Sequence, residues 1–216
     1  MLHEWIRDSV ADIVPPALST GIRAFLSHID PMQLDESRPP TLSGHLLLAE
    51  PGLRDPNFWR SVVLITDHDS EQGAHGYVLT QPLGQTVGEV VDHPEVSALA
   101  DVPVFAGGPV SPSKLSFVSL AWNAGRQALE VATHLSGAEA VARRTEGFVI
   151  RAFAGYSGWS EGQLEAELGQ GSWITTPAGP AILDATDPAG LWGVVMRSLG
   201  PYYHLLAGMP DNVSLN

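Results

Sequence analysis

The chain has 216 residues, 44% of them hydrophobic, so it can bury a substantial core as one large domain, with or without an appended arm. It contains no cysteine, which excludes disulfides, thiolate catalysis, zinc–cysteine sites and iron–sulfur clusters. Eleven basic residues stand against 24 acidic ones, a formal net charge of −13. Because phosphate backbones are bound by basic surfaces, we expect no direct nucleic-acid binding.

The hydrophobic pattern also bears on location and partners. No apolar run approaches the roughly 20 residues that a membrane-spanning helix needs, and the acidic N-terminal residues lack the form of a signal peptide. We therefore expect a cytoplasmic protein that does not enter the membrane. An acidic surface suits small molecules or basic protein partners. We expect a protein partner and a chain that is a monomer or a weak homodimer.

Residues 1–40 are predicted to form a helical arm and a linker, ahead of one domain over 41–216. Apolar residues recur at helical spacing before the Pro15–Pro16 pair, and a second short helix is predicted over 18–27. The residues that follow, 30–44, are polar and proline-rich, which is typical of a linker. We expect the arm to pack against the body of the protein or a second subunit.

From Gly44 onward the pattern is that of strands with inserted helices. Runs rich in β-branched residues predict strands over 45–50, 61–67, 76–80, 103–108, 114–122, 128–135 and 147–155. Helices are predicted over 86–91 with Thr86 as cap, 137–145, 160–170 with Ser160 as cap, and 187–200 with Asp187 as cap. Brief extended pieces are predicted over 172–178 and 181–184. Strands that cluster in this way favour an α+β fold over regular βαβ alternation.

The stretch ITDHDSEQGAHG at 65–76 concentrates residue types used in metal and acid–base sites: Asp67, His68, Asp69, Glu71 and His75. In an extended strand His68 points to the face opposite Asp67 and Asp69, so these three do not converge on one ion. A catalytic metal normally has three protein ligands. We therefore predict no metal site.

Several catalytic motifs fail when their spacing is tested. The sequence GYSGW at 155–159 has Trp159 where a nucleophile elbow needs its second glycine, so Ser157 is predicted to be a turn serine. Neither a P-loop nor a dinucleotide fingerprint is present, and no cofactor is predicted. The sequence GGPV at 107–110 offers backbone N–H groups for a small anion nest, with a plain strand-ending turn as the alternative.

One long stretch, LSGHLLLAEPGLRDPNFWRSVVLITDH at 42–68, resembles the opening of the bacterial YqgE/AlgH family. Further family motifs follow in order, namely GAHGYVLTQPL (73–83), GGPV (107–110), GFV (147–149), GYSGW (155–159), GQLE (162–165) and Trp173. The resemblance covers about residues 42–207. Thr80 and Gln81 depart from the asparagine and basic residue that are usual in the family, which weakens a binding role at that position.

The resemblance implies a fold rather than a chemistry. The implied fold is α+β, with a bifurcated, mostly antiparallel β-sheet folded into a pseudo-barrel with flanking helices. The resemblance also places His68 at the end of a strand and Asp69, Glu71 and His75 in a polar turn after it. The AlgH label comes from an association with transcriptional regulation of alginate production in some bacteria. In so acidic a chain we expect such a role to be indirect, through protein partners.

Eight candidate binding residues follow from these motifs: Asp55, Arg60, His68, Gly107, Gly108, Tyr156, Trp159 and Glu165. Asp55 is predicted to cap the N–H groups of Phe58 and Trp59. Arg60 is predicted to pair with Asp67 or Glu165. An aromatic cluster of Tyr156, Trp159 and Trp173 is predicted around the GYSGW turn.

Three functions are compatible with the sequence. The first is a regulatory or interaction protein without enzymatic activity. The second is a hydrolase-type enzyme that uses His68 with Asp67, Arg60 or Glu165, which a cleft joining His68 to Glu165 would favour. The third is a small-molecule or anion-binding protein that uses Gly107 and Gly108.

Overall fold

The structure is a computed structural model that describes residues 41–69, 71–183 and 186–208. The arm and linker predicted over 1–40 lie outside the described residues, so that part of the domain organisation stays a prediction. No helix within the described ranges is both long and apolar enough to cross a membrane.

Strands dominate the described residues. They are β1 (His45–Ala49), β2 (Val62–Asp69), β3 (Gly73–Val78), β4 (Pro82–Thr86), β5 (Pro103–Ala106), β6 (Val110–Asn123), β7 (Ala128–Leu135), β8 (Val149–Trp159) and β9 (Trp173–Pro177). The α-helices are α1 (Val87–Val90), α2 (Gly137–Thr145), α3 (Gln163–Gly169), α4 (Leu191–Ser198) and α5 (Pro201–Ala207). Short 3₁₀ helices cover Pro94–Leu99 and Pro180–Ile182.

All nine strands belong to one branched sheet. Its main path runs β4-β5-β8-β3-β2-β1-β9, and β6 joins it by pairing with β8 and β7. Each pairing is antiparallel except that of β5 with β8. The branch lies at β8, which pairs with β3, β5 and β6. The predicted α+β class and bifurcated, mostly antiparallel sheet are therefore confirmed, although the sheet does not close into a complete barrel.

The core follows from the period-2 alternation of the strands. Leu46 and Leu48 of β1 point into one buried cluster with Trp192 and Met196, while Leu47 of the same strand points to the opposite face. Each of these fully buried leucines contributes roughly 1.5–3 kcal/mol of transfer free energy. A third cluster packs α2 onto β5 and β8. Both faces of the central strands are thus covered.

Local signals predicted some helix boundaries and missed others. Thr86 is the N-cap of α1, as predicted. The Ser160 prediction is wrong, because α3 begins after left-handed Gly162. Asp187 accepts the Gly190 N–H in a turn that precedes the shorter helix α4. Residues 180–182 form a 3₁₀ helix rather than an extended piece, and α5 was not predicted.

Candidate functional site

His68 lies near the end of β2 and is only 8% exposed. Its Nδ1 accepts the Leu42 N–H at 3.1 Å, so the ring proton is on Nε2, which donates to Glu165 Oε1 at 2.8 Å. Thr41 also donates its hydroxyl to the His68 carbonyl. The structure therefore brings His68 and Glu165 together, but both ring nitrogens are committed to protein partners.

Arg60 lies just before the first residue of β2, at the end of the strand opposite to His68. Its backbone is left-handed, with φ of 47°, and its guanidinium carbon lies 5.3 Å from the Trp59 ring centroid and 5.1 Å from that of Trp192. Asp55 belongs to the same turn, where its carboxylate accepts the Asn57 N–H at 2.8 Å. The predicted side-chain cap on Phe58 and Trp59 is not formed, because aspartate in a tight turn bonds the amide two residues ahead. The Phe58 N–H donates instead to the Asp55 backbone carbonyl at 3.0 Å.

Strand β2 separates these two groups of candidates. At about 3.3 Å per residue, the eight residues of β2 hold Arg60 roughly 25 Å from His68. The predicted pairing of Arg60 with Asp67 or Glu165 is therefore wrong, since both carboxylates lie at the His68 end.

Gly107 and Gly108 form the passage from β5 to β6. The chain is parallel to β8 up to Ala106 and antiparallel to it from Val110, so it crosses the backbone of β8 between these residues. A Cβ atom on Gly107 would lie 2.3 Å from the Gly155 carbonyl oxygen, and one on Gly108 would lie 2.4 Å from that of Tyr156. Glycine is thus required there by close backbone approach.

The hydrogen bonds of this crossing are internal to the fold. The Gly107 N–H donates to the Ala154 carbonyl, and its own carbonyl accepts the Val78 N–H and the Ser157 hydroxyl. Ser157 is fully buried within β8, so its prediction as a turn serine is wrong. The sequence GYSGW is a strand in which Gly155 leaves room for the backbone of the crossing segment.

Tyr156 and Trp159 lie in one strand but serve different clusters. Trp159 contacts Phe58 and Trp173, with ring centroids 6.3 and 6.2 Å away. Tyr156 instead stacks on His75 at 4.4 Å. The predicted cluster of Tyr156 with the two tryptophans is wrong, because residues an odd number of positions apart in a strand point to opposite faces.

Glu167 of α3 accepts hydrogen bonds from two tryptophans, a role that was not predicted from the sequence. Its Oε2 accepts the indole N–H groups of Trp159 at 2.9 Å and Trp173 at 2.8 Å. The adjacent Gln163 donates to the other carboxylate oxygen. The sequence did indicate the Gln163–Glu167 contact, because side chains four residues apart on a helix lie next to each other. Nothing local indicated the two indoles.

His75 is part of β3, opposite Asp67, rather than part of the turn in which it was predicted. The Thr66 hydroxyl donates to the His75 carbonyl, so it accepts the proton on His75 Nδ1 at 3.1 Å. His134, with a left-handed backbone, lies 5.5 Å away between ring centroids. Burial, and then His134, lower the pKa of His75 below its ordinary value of 6.5, with Asp67 opposing them.

A polar concavity of about 360 Å³ lies beside these residues. Its lining residues are Asp67, Asp69, Gln72, Gly73, Ala74 and His75. His68 is not among them, so the concavity does not reach the ring that was singled out from the sequence. No group of three or more potential metal ligands converges within the part of the chain that the structure describes.

Arg151 is a buried cation that the sequence analysis overlooked. It is 4% exposed, lies over the Phe105 ring, and donates from Nη2 to the Ile182 carbonyl. Burial lowers its pKa to about 10, so the guanidinium stays charged at neutral pH. This hydrogen bond ties β8 to the 3₁₀ helix that covers the core.

These features define an α+β protein built around a branched, mostly antiparallel sheet whose central strand is crossed at paired glycines. The chain belongs to the AlgH-like family, whose model matches residues 46–204. A UPF0301 protein of Thioalkalivibrio sulfidiphilus is 36% identical, over 77% of this chain and 94% of the relative. The UPF0301 protein AlgH of Pseudomonas aeruginosa is 34% identical, over 80% of this chain and 96% of the relative.

Solved structures share this fold. The solution structure of AlgH from Pseudomonas aeruginosa has a TM-score of 0.58 and 29% identity, and the match covers 82% of this chain and 99% of that one. A crystal structure of a protein from Corynebacterium diphtheriae has a TM-score of 0.61 and 27% identity, over 80% of this chain and 94% of that one.

Proposed function

We propose that this protein is a non-enzymatic interaction protein that exerts a regulatory role through a protein partner in the cytoplasm. The partner contacts the Trp59 surface, which consists of Trp59, Arg60, Gln81 and Leu83. An absence of cysteine and an acidic composition support the cytoplasmic location.

The observation that carries this proposal is the pairing of exposed Trp59 with Arg60, whose backbone is strained. Trp59 is 46% exposed, which leaves much of a large indole in water. The Arg60 guanidinium lies over the Trp59 ring and also over the Trp192 ring in the core. The left-handed backbone conformation of Arg60 costs about 1–3 kcal/mol. Strain of this kind is concentrated at functional positions, and tryptophan and arginine are the residue types that anchor protein interfaces.

The rest of the surface extends from this pair to the end of the sheet. Gln81 donates to the Asn57 carbonyl at 2.8 Å, which links the Trp59 turn to the connection before β4. Leu83 in β4 is 46% exposed. Pro82 and left-handed Gly84 make the register of β4 irregular, which discourages addition of a strand from another chain. The partner therefore docks through side chains rather than by extending the sheet.

Neither of the other two functions has comparable support. An acid–base role for His68 needs a ring nitrogen that faces substrate, and both nitrogens bond to protein groups. An anion at Gly107 needs its N–H, which donates to Ala154. The net charge of −13 favours a partner that is basic overall, because complementary charge accelerates encounter.

The test is affinity capture from a lysate of the source bacterium, followed by titration of each captured protein in purified form. Wild type is compared with Trp59→Ala and with a matched control, Val90→Ala, whose side chain is 43% exposed. We expect Trp59→Ala to weaken binding of the partner by at least about tenfold, the loss typical of an interface anchor. The Val90→Ala control is expected to bind as wild type does. Equal affinity of the folded Trp59→Ala variant for every captured protein would contradict the proposal.

A further inference from the structure

We propose that the groove between α4 and α5 binds an acidic amphipathic helix presented by a protein partner. The groove has a volume of about 550 Å³ and is lined by Arg197, Gly200, Pro201, His204 and Leu205. None of these residues belongs to the Trp59 surface. The inference therefore adds a second interaction site and does not rest on the function proposed above.

The first observation is the apolar exposure around the groove. Val194 is 53% exposed, Tyr202 66% and Leu205 73%, which makes them the most exposed large hydrophobic side chains among the described residues. Helix α4 explains the pattern, because its other face buries Trp192 and Met196 in the core. Leu205 lines the groove itself, while Val194 and Tyr202 lie in the two helices that flank it. Apolar exposure concentrated in one part of a protein marks interaction surfaces.

The second observation is the charge of the segment. Residues 188–210 contain no aspartate or glutamate, whereas the chain as a whole has 24. Arg197 and His204 border the groove, and Arg197 makes no ion pair with any residue that the structure describes. The groove is thus a locally basic, apolar site on an acidic protein. Complementarity selects a partner that carries carboxylates beside apolar side chains.

Geometry favours a helix as the occupant. Helices α4 and α5 meet at Gly200, whose φ of 120° allows the sharp change of direction before Pro201. Two helices joined in this way flank a groove into which the apolar face of a third helix can pack, about 8–10 Å from each axis. One arginine and one histidine are too few for a phosphate backbone.

The probe for this site is a designed, fluorescein-labelled peptide of about 18 residues, long enough for several helical turns. Leucine occupies one face and glutamate the other, and a matched peptide has lysine in place of glutamate. Fluorescence anisotropy is measured at low salt, because screening weakens exposed charge pairs. We expect the acidic peptide to bind the full chain and the lysine peptide to bind at least about tenfold more weakly.

Substitutions in the groove test whether the acidic peptide binds there. We expect Arg197→Glu and Leu205→Asp each to weaken the acidic peptide by about tenfold, through the charge and the apolar contact respectively. Arg126→Glu makes the same charge change at an exposed residue of the β6–β7 turn and is expected to bind as wild type does. Amide chemical-shift changes on adding the peptide should lie within 191–207. If Leu205→Asp unfolds the domain, Leu205→Ala replaces it.

Three results would overturn the inference. They are failure of the acidic peptide to bind, equal binding of the lysine peptide, and an equal loss in Arg126→Glu and Arg197→Glu. None of them would alter the partner capture that tests the Trp59 surface, because the peptide assay uses no cellular partner.

Discussion

His68 Nε2 lies 2.8 Å from Glu165 Oε1, a contact that joins β2 to α3 across 97 residues of sequence. The same ring accepts the Leu42 N–H, so one buried side chain holds the entry of the domain, an inner strand and a helix together. Such a ring acts as a clamp, because each nitrogen has its own hydrogen-bond partner in a different segment.

Replacement of His68 by alanine should destabilise the fold. The Leu42 N–H and Glu165 both lose their partner, and we expect the free energy of unfolding to fall by about 2–3 kcal/mol. Because Glu165 is partly exposed, most of this loss comes from the backbone amide and the cavity. Urea denaturation measures the change. His204→Ala, at an exposed position, should stay within about 0.5 kcal/mol of wild type, and equal losses in the two variants would refute the clamp.

Replacement of Gly108 by alanine should be far more damaging than a glycine substitution elsewhere. Its φ is 148°, and an added Cβ would lie 2.4 Å from the backbone of Tyr156 and from the Ser157 hydroxyl. We expect a loss of at least about 3 kcal/mol, or failure to fold, because backbone atoms cannot move aside cheaply.

Gly169→Ala is the matched control for this substitution. Gly169 ends α3 with nothing within 4 Å of an added Cβ, so alanine there should be neutral or stabilising by up to about 1 kcal/mol. Thermal unfolding of both variants, together with soluble yield, measures the difference. A Gly108→Ala protein as stable as Gly169→Ala would show that the crossing tolerates a side chain.

The stability of the fold should fall on mild acidification, in part through His75. Its pKa is lowered in the folded protein, chiefly by burial and then by His134, so the unfolded chain binds the proton more readily. This contribution is complete above the unfolded value of about 6.5 and is lost as the pH falls below it towards the folded pKa.

A variant that cannot titrate isolates this effect. His75→Phe keeps a ring against Tyr156, and we expect it to lose less stability than wild type between about pH 7.5 and pH 5. His134→Ala should give an intermediate slope, because it removes the second cause of the lowered pKa. Urea midpoints across the pH range measure the slopes. Parallel curves for wild type and His75→Phe would rule out this role of His75.

Glu167 should be essential to the tryptophan cluster. In Glu167→Leu, the indole N–H groups of Trp159 and Trp173 lose their shared acceptor, and we expect a loss of about 2–3 kcal/mol with altered tryptophan fluorescence. Glu161→Leu removes a carboxylate from an exposed neighbouring position and should change stability little. Glu167→Gln retains one acceptor oxygen and should lie between them. Unaltered stability in Glu167→Leu would mean that the indoles find other acceptors.

Local patterns predicted most of the secondary-structure elements. The apolar runs correctly located strands such as β2 and β7, and Thr86 correctly predicted the start of α1. The contact of His68 with Glu165 was named only as a condition that would favour an acid–base enzyme, and it is present in the structure. Asp55 and Tyr156 were assigned wrong contacts and Ser157 a wrong conformation, because DPNF and GYSGW were each treated as an isolated turn.

The sequence by itself determined the α+β class, the family, the acidic character and the alternating faces of the strands, because these depend on composition and on the period of nearby residues. Only the tertiary structure decided that β5 and β6 straddle β8, that Arg60 and His68 lie at opposite ends of β2, and that Glu167 joins two indoles. Those contacts depend on strand register and on one segment of the chain crossing another. Neither produces a periodic pattern in the local sequence.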